Sequence, residues 1–483
     1  MKKSGNNFTW LEVSAQHVLE REQEKLHIDN LRLINKSNGI KKILRYPSYD
    51  RVCIPYKFSH NMSPPEEQLI ATTSLYATPG ALECGYAQNI NWTADGILNE
   101  EIYEWIGWYT CNRLKLAGTC VEISKKSAFK MRDFYQCIES SEKATISFIL
   151  GGFFCFQSAT YWLRSRNEEI NLFIHAGLAM KASLEFPPKK AKRKMPDYLI
   201  GTKKDEWHVF ESKGGEHTSR WQRIEEGVVQ LASVTHIVCN ANPPKKFSTF
   251  VCTHTSIDAG DDIIINVVDP APEKPESVII NRDVCLLLTK LTIISLFDTL
   301  SAIKTSRKQK IPGMDDWIFV DVPEYDNVNF GIPEVFLYSK DKLKLRLGIY
   351  LLIKEVVDFN LAENNGFVIV SKIKEKLTAL LPSPVKLRRI IDALTPFMHR
   401  KISHGNYSDY FNALSEYLRL PKLAKKILEE ETRLVNDLPE IIKKHRSPWG
   451  GLTRKAPLPG YDDPWELAQI NKRKTLGKKP KNR

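Results

Sequence analysis

A chain of 483 residues is roughly two to four times the usual length of one hydrophobic core, so at least two domains are expected. Apolar residues at 42% and charged ones at 26% exclude a disordered or fibrous chain, and nine scattered cysteines without a CxxC pair argue against a secreted disulfide framework and for a reducing cytoplasm. The net charge of +13 points to a polyanionic partner, although seven Lys or Arg and no acid fall between Lys472 and Arg483, so that tail supplies much of the excess.

In chain order, Leu11, Val18, Leu19, Leu26 and Leu31 suggest a helix, and Tyr46 to Pro65, rich in Pro and aromatics, suggests loops or short strands. Acids at Glu12, Glu20 and Glu22 stand where a signal peptide would be apolar, so none is expected. Residues 66–140 look mainly helical, and core packing is the expected role of the aromatics between Tyr103 and Tyr109. From Ala144 to Trp162 nineteen residues carry no charge, about the length that crosses a bilayer. Gly151, Gly152, Gln157, Ser158 and Thr160 dilute the run, so a buried core helix is expected and no membrane partner.

Between 144 and 260 helix alternates with short strands. Ile170–His175 reads as a strand, and a basic loop with Lys189, Lys190, Lys192, Arg193 and Lys194 follows. Asp197–Ile200 and Trp207–Glu211 read as a hairpin around the polar turn 201–206. Residues 218–234 read as a helix, and Phe250–Cys252 and Ile263–Ile265 as further strands before a Pro-rich linker starting at Asp269. Helical periods recur at 283–304, 341–358, 384–399 and 411–445, with strands between Trp317 and Tyr338. The domain organisation expected is therefore a mainly helical region 1–140, a core 141–270, a mainly helical domain 281–446 and a basic tail 447–483 that is poorly ordered alone.

The chemistry concentrates at Pro196-Asp197 and Glu211-Ser212-Lys213. Alternation along a strand puts Glu211 and Lys213 on one face, and a hairpin partner can bring Asp197 opposite Glu211. Adjacent carboxylates repel unless a cation joins them, and oxygen donors of this kind suit Mg²⁺ or Mn²⁺. The Lys213 ammonium could then orient or help deprotonate a water and stabilise charge developing on phosphate.

These residues resemble the motif of the PD-(D/E)xK nuclease superfamily. The wider segment is similar to a group of predicted bacterial nucleases that carries SF-x-x-G in a helix, a strand ending near a His, PD-x-x-G, then W-x-V-x-ESKG. The matching pieces are Ser147-Phe148 with Gly151, His175, Asp197 to Gly201, and Trp207 to Gly214, so the resemblance covers roughly residues 144–235. It implies an α/β (α+β) fold whose restriction-endonuclease-like mixed-sheet core is flanked by mainly helical N- and C-terminal regions. It also implies an Mg²⁺-dependent endodeoxyribonuclease in which Asp197, Glu211 and the carbonyl of Ser212 hold metal and Lys213 serves the water. Gln230 resembles the helix Gln that supports the lysine or contacts DNA; a solvated Gln is the ordinary alternative. The five cations 189–194 would grip the phosphates of DNA, with Lys203, Lys204 and Arg220 extending that surface.

The family's helix acid is missing, because the helix offers Gln157 and Thr160; Glu168, Glu169 and Glu185 are substitutes to be considered. His175 is expected to be structural. His236, Cys239, Cys252 and His254 make an imaginable zinc set, although their spacing fits no common module. No GxxxxGK[ST] loop or GxSxG elbow is present. The resemblance implies a role in restriction or antiviral defence, restrained by a regulatory protein partner or a homo-oligomeric switch. The rivals are a non-catalytic nucleic-acid-binding protein with a degenerate nuclease fold, and a ribonuclease.

Overall fold

The mixed α and β class is observed. The computed structural model describes residues 40–46, 92–123, 129–164, 166–182, 195–231, 234–240, 242–261, 263–270, 277–303, 308–309, 316–321, 329–362, 369–381, 383–403 and 405–444. Along the chain, strand β1 (Ile40–Tyr46) precedes helices α1 (Ala94–Leu98) and α2 (Glu100–Thr119). A small hairpin, β2 (Val121–Ile123) and β3 (Phe129–Met131), leads to the long helix α3 (Ser140–Arg164). Next come β4 (Ile170–His175), α4 (Ala176–Lys181), β5 (Tyr198–Thr202), β6 (Trp207–Gly215) and α5 (Arg220–Leu231). β7 (His236–Cys239), β8 (Lys245–Lys246), β9 (Thr249–Ser256), β10 (Ile264–Pro270) and β11 (Ser277–Ile280) precede α6 (Arg282–Ala302). β12 (Lys308–Gln309), β13 (Trp317–Asp321) and β14 (Asn329–Pro333) are followed by α7 (Glu334–Ala362), α8 (Ile369–Leu380), α9 (Pro384–Met398), α10 (Tyr407–Tyr417) and α11 (Leu420–Lys444).

Six strands form the main sheet in the order β1-β10-β9-β6-β5-β4. Strands β4, β5 and β6 are an antiparallel meander, β6 and β9 run parallel, and β10 and β1 return antiparallel. All five residues of β5 and all eight of β9 are buried, as expected for strands covered on both faces. Helices α3 and α5 supply the cover on opposite sides. A Cβ built on Gly151 of α3 would lie 3.1 Å from the Ser212 Oγ, whereas one on Gly227 of α5 would lie 3.0 Å from the Glu211 Cγ. Consecutive residues of β6 thus face different helices, as the pleat requires. On β5, Gly201 sits across from Trp207, where any Cβ would meet the indole ring at 3.2 Å.

The hairpin, the strand Ile170–His175 and the helix after Ser219 appear where the sequence placed them. Other expectations change. Asp269 and Pro270 belong to β10 and pair with β1, so no linker begins there. The stretch 66–140 contains the β2–β3 hairpin as well as helices, α7 starts at Glu334, and 411–445 divides into α10 and α11. The expected helix between Leu11 and Leu31 and the basic tail lie outside the described residues.

The aromatic run on α2 also divides. Tyr103 is buried, but Trp105 and Trp108 are 62% and 40% exposed, so core packing describes only part of it. The uncharged run 144–162 lies within α3 and packs Ile146, Ile149, Leu150, Phe153 and Phe154 into the core. Among the described residues one helix, α6, is long and apolar enough to cross a membrane, and 89% of its most apolar window is buried inside the protein. α6 packs against α2, α7 and α11.

Candidate active site

The β5–β6 register fixes the candidate site. Tyr198 pairs with Phe210, which puts Asp197, just before β5, opposite Glu211. The two acids are joined through the backbone: the Asp197 N–H donates to Glu211 Oε2 at 2.9 Å, and the Ser212 N–H donates to Asp197 Oδ2 at 3.0 Å. The Lys213 ammonium donates to Glu211 Oε1 and, at 2.8 Å, to Gln230 Oε1. Gln230 on α5 is itself anchored by donating from Nε2 to the Met195 carbonyl at 3.2 Å. The structure therefore brings Asp197, Glu211, Ser212, Lys213 and Gln230 together. The side chain of Glu211 is fully buried, whereas those of Asp197 and Lys213 keep 20% and 17% of their exposure, so the cluster opens to solvent on one side.

Burial, then the charge of Asp197, pushes the Glu211 pKa up to about 8 against the opposing pull of Lys213. Burial works against the Lys213 ammonium too, but Glu211 outweighs it and the lysine's pKa lies above its ordinary value. Two carboxylates thus share one lysine, and negative charge at Glu211 is undercompensated. A hard divalent cation would relieve this, so the donor set fits Mg²⁺ or Mn²⁺ held by Asp197 and Glu211. Asp197 Oδ1 faces His175 Nε2 at 4.0 Å. His175 Nδ1 accepts the Gly177 N–H at 3.0 Å, and burial lowers the ring's pKa against the pull of Asp197, so the neutral ring presents Nε2–H to the carboxylate.

The other candidates separate from this cluster. Glu168 is buried in a different chain of hydrogen bonds, with Oε2 at 2.7 Å from His208 Nε2 and the other ring nitrogen at 2.8 Å from Thr249 Oγ1. Glu169 pairs with Lys203 on the surface. Neither substitutes for the missing helix acid, and Glu185 lies outside the described residues. The only acid in α3 is Glu142 in its first turn. The imagined zinc set is split, because His236 and Cys239 belong to β7 in a separate three-stranded sheet while Cys252 and His254 belong to β9. Among the described residues no three of His, Cys, Asp and Glu are arranged to hold a metal. The basic residues Lys189, Lys190, Lys192, Arg193 and Lys194 also lie outside the described residues. Arg220 does not extend an exposed surface: it is buried and donates to the His217 carbonyl at 2.8 Å.

Sequence reasoning missed Gly227, and it read Cys252 and His254 as zinc candidates rather than as neighbours of Glu211 and Lys213. Cys252 pairs with Glu211 and His254 with Lys213 across the parallel β6–β9 ladder, and Gly227 lets α5 approach that face. A glycine inside the helical pattern EEGVVQ costs about 1 kcal/mol relative to alanine and was the available signal of close packing. In comparisons with known proteins, no family model, curated protein or solved structure matches the chain.

Proposed function

We propose that the protein is a metal-dependent nuclease that hydrolyses DNA phosphodiester bonds, built on a restriction-endonuclease-like core. The observation that carries this reading is the meeting of Asp197, Glu211 and Lys213 at the end of the β5–β6 hairpin, with Lys213 held by Gln230. The sheet around it supports the reading: β4, β5 and β6 form an antiparallel meander, β9 runs parallel to β6, and α3 and α5 cover the two faces.

A divalent cation between Asp197 and Glu211 would polarise the scissile phosphodiester and neutralise part of its charge. The residues of the chain do the rest. Asp197 is fixed in place by the Ser212 N–H, and Glu211 by the Asp197 N–H. Lys213 is kept cationic by Glu211, which suits it to orient a water and to stabilise negative charge on the phosphate rather than to act as the base. Its bond to Gln230 limits its rotamers, which lowers the entropy lost on reaching that geometry. A role in restriction or antiviral defence follows from the same resemblance.

The test incubates wild type, Lys213→Ala and Glu211→Gln with supercoiled plasmid, linear duplex and single-stranded RNA, in Mg²⁺, Mn²⁺ and EDTA. Metal-dependent DNA cleavage that falls at least about 100-fold in both variants is expected. DNA binding by all three proteins without cleavage would establish the non-catalytic reading, which the absence of an acid in α3 beyond its first turn favours. Cleavage of RNA alone would make the protein a ribonuclease.

A further inference from the structure

Helix α9 is fully buried only toward one end. Its buried residues, Leu394, Phe397 and Met398, all lie in its C-terminal part. Between Pro384 and Ala393 no residue is buried; Leu387, Ile390 and Ile391 rest half-buried against the core. At 100° per residue these three continue the stripe of Leu394, Phe397 and Met398. The remaining, solvent-facing side carries Val385 and Arg389 opposite the stripe and Lys386 and Arg388 on its two flanks, all exposed, with Val385 at 65%.

The solvent-facing side is net basic, with the exposed Asp392 lying among these cations, four positions after Arg388 and three after Arg389. From Pro384 to Lys401 the chain has five Lys or Arg and the single acid Asp392, and Arg400 and Lys401 are exposed like the first three. Among the described residues Lys386, Arg388 and Arg389 take part in no ion pair, whereas Lys354, Lys425 and Arg433 each pair with an acid three or four positions away on their own helix. α9 follows α8 after only three residues, and the two helices pack together. The first helix of the pair is anchored along its length by Ile369, Ile373 and Leu377. The connectivity is thus helix, short turn, helix, with the second helix projecting a basic face.

We propose that the α8–α9 pair is a second nucleic-acid-binding element, whose helix α9 binds duplex DNA with Lys386, Arg388 and Arg389 against the phosphates and bases of one major groove. The occupant follows from charge and shape. Three exposed cations against one acid around the solvent side of the helix match a polyanion, and a helix about 10–12 Å across with its side chains fits the roughly 12 Å major groove of B-form DNA. The deep, narrow major groove of A-form RNA does not admit such a helix. Val385 supports contact with bases, since an exposed apolar side chain beside the cations can rest on a thymine methyl group. The element requires no catalysis. It would hold the protein on DNA whether or not the site at Glu211 cuts.

The experiment measures binding of the full chain to a 20-base-pair DNA duplex, the matching RNA duplex and single-stranded DNA by fluorescence anisotropy in EDTA across a salt series. Wild type is compared with the triple variant Lys386→Ala/Arg388→Ala/Arg389→Ala. A control of equal charge change, Lys422→Ala/Lys425→Ala/Lys426→Ala, alters exposed residues of α11. The α9 triple is expected to bind duplex DNA at least tenfold more weakly and to reduce the salt slope by about two to three, since each lost phosphate contact removes about 0.9. The α11 triple should change affinity less than threefold. Melting temperatures of all three proteins are expected to agree within a few degrees, because every altered side chain is exposed. Equal weakening by both triples, unchanged affinity of the α9 triple, or equal or tighter binding to the RNA duplex would each overturn the assignment. None of these outcomes depends on cleavage, so failure of the nuclease reading is scored separately.

Discussion

Gly227 is where the wall of the candidate site is tightest, and replacing it by alanine tests the packing directly. A Cβ at that position would lie 2.5 Å from the Cys252 Sγ, 3.0 Å from the Glu211 Cγ and 3.4 Å from the Lys213 Cε. Comfortable non-bonded separations are about 3.5–4.0 Å, so α5 must retreat by roughly 1 Å, because Cys252 is buried in β9 and has no slack. In an open helix the change would stabilise by about 1 kcal/mol. Overpacking costs about 1–3 kcal/mol, and the depth of this overlap places it at the upper end, leaving a net loss of about 2 kcal/mol. The retreat would also draw Gln230, one turn further along α5, away from Lys213. Urea denaturation of wild type, Gly227→Ala, Cys252→Ala and the double variant gives the coupling. Cys252→Ala alone should cost about 1 kcal/mol, and the double variant should be more stable than the sum of the singles by about 1–2 kcal/mol, as the new methyl enters the vacated space. A Gly227→Ala protein as stable as wild type, or additive behaviour in the double variant, would refute the reasoning.

Two buried groups should make stability depend on pH with opposite signs. Burial first, then His217, Arg220 and Arg223, lower the His254 pKa to about 3, so the folded state excludes a proton that the unfolded chain binds below about 6.5. That contribution is fully present above pH 6.5 and is lost at up to about 1.4 kcal/mol per unit as pH falls towards 3. Glu211 acts the other way in EDTA: with its pKa raised to about 8, folding takes up a proton, and stability falls as pH rises from about 4.5 through 8. Denaturation series should therefore show the acid loss reduced in His254→Gln, and Glu211→Gln gaining on wild type as pH rises towards 8; parallel curves for a variant and wild type would contradict its assignment. His208 is neutral by burial, against the pull of Glu168, and links that acid to Thr249. His208→Ala leaves Glu168 with Arg166 alone and strands the Thr249 hydroxyl, and should cost about 2–3 kcal/mol, while Thr249→Val should cost only about 1 kcal/mol; equal small losses in both would show that the chain of bonds carries no weight.

Much of the candidate site was legible because its parts are close in sequence. Asp197 and Glu211 are fourteen positions apart across one tight hairpin, and a period of two then fixes Lys213 on the same face as Glu211. The apolar run of β4 and the glycines of β5 and β6 are likewise local signals. Gln230 was legible only as a helix residue; that it reaches Lys213 while anchored on Met195 depends on how α5 lies on the sheet.

The sequence alone determined the hairpin, the acid pair and the lysine, since two strands joined by a short turn inherit their register from the alternation of their own residues. Only the tertiary structure decided that β9, and not β7, lies beside β6, that Cys252 and His254 back Glu211 and Lys213, and that Gly151 of α3 lies against Ser212. It also decided that Tyr103 is buried while Trp105, two positions on, faces water. These outcomes depend on which distant segments bury each other's apolar faces. Such segments share no turn that fixes their register, so the choice is made by the packing of the whole core.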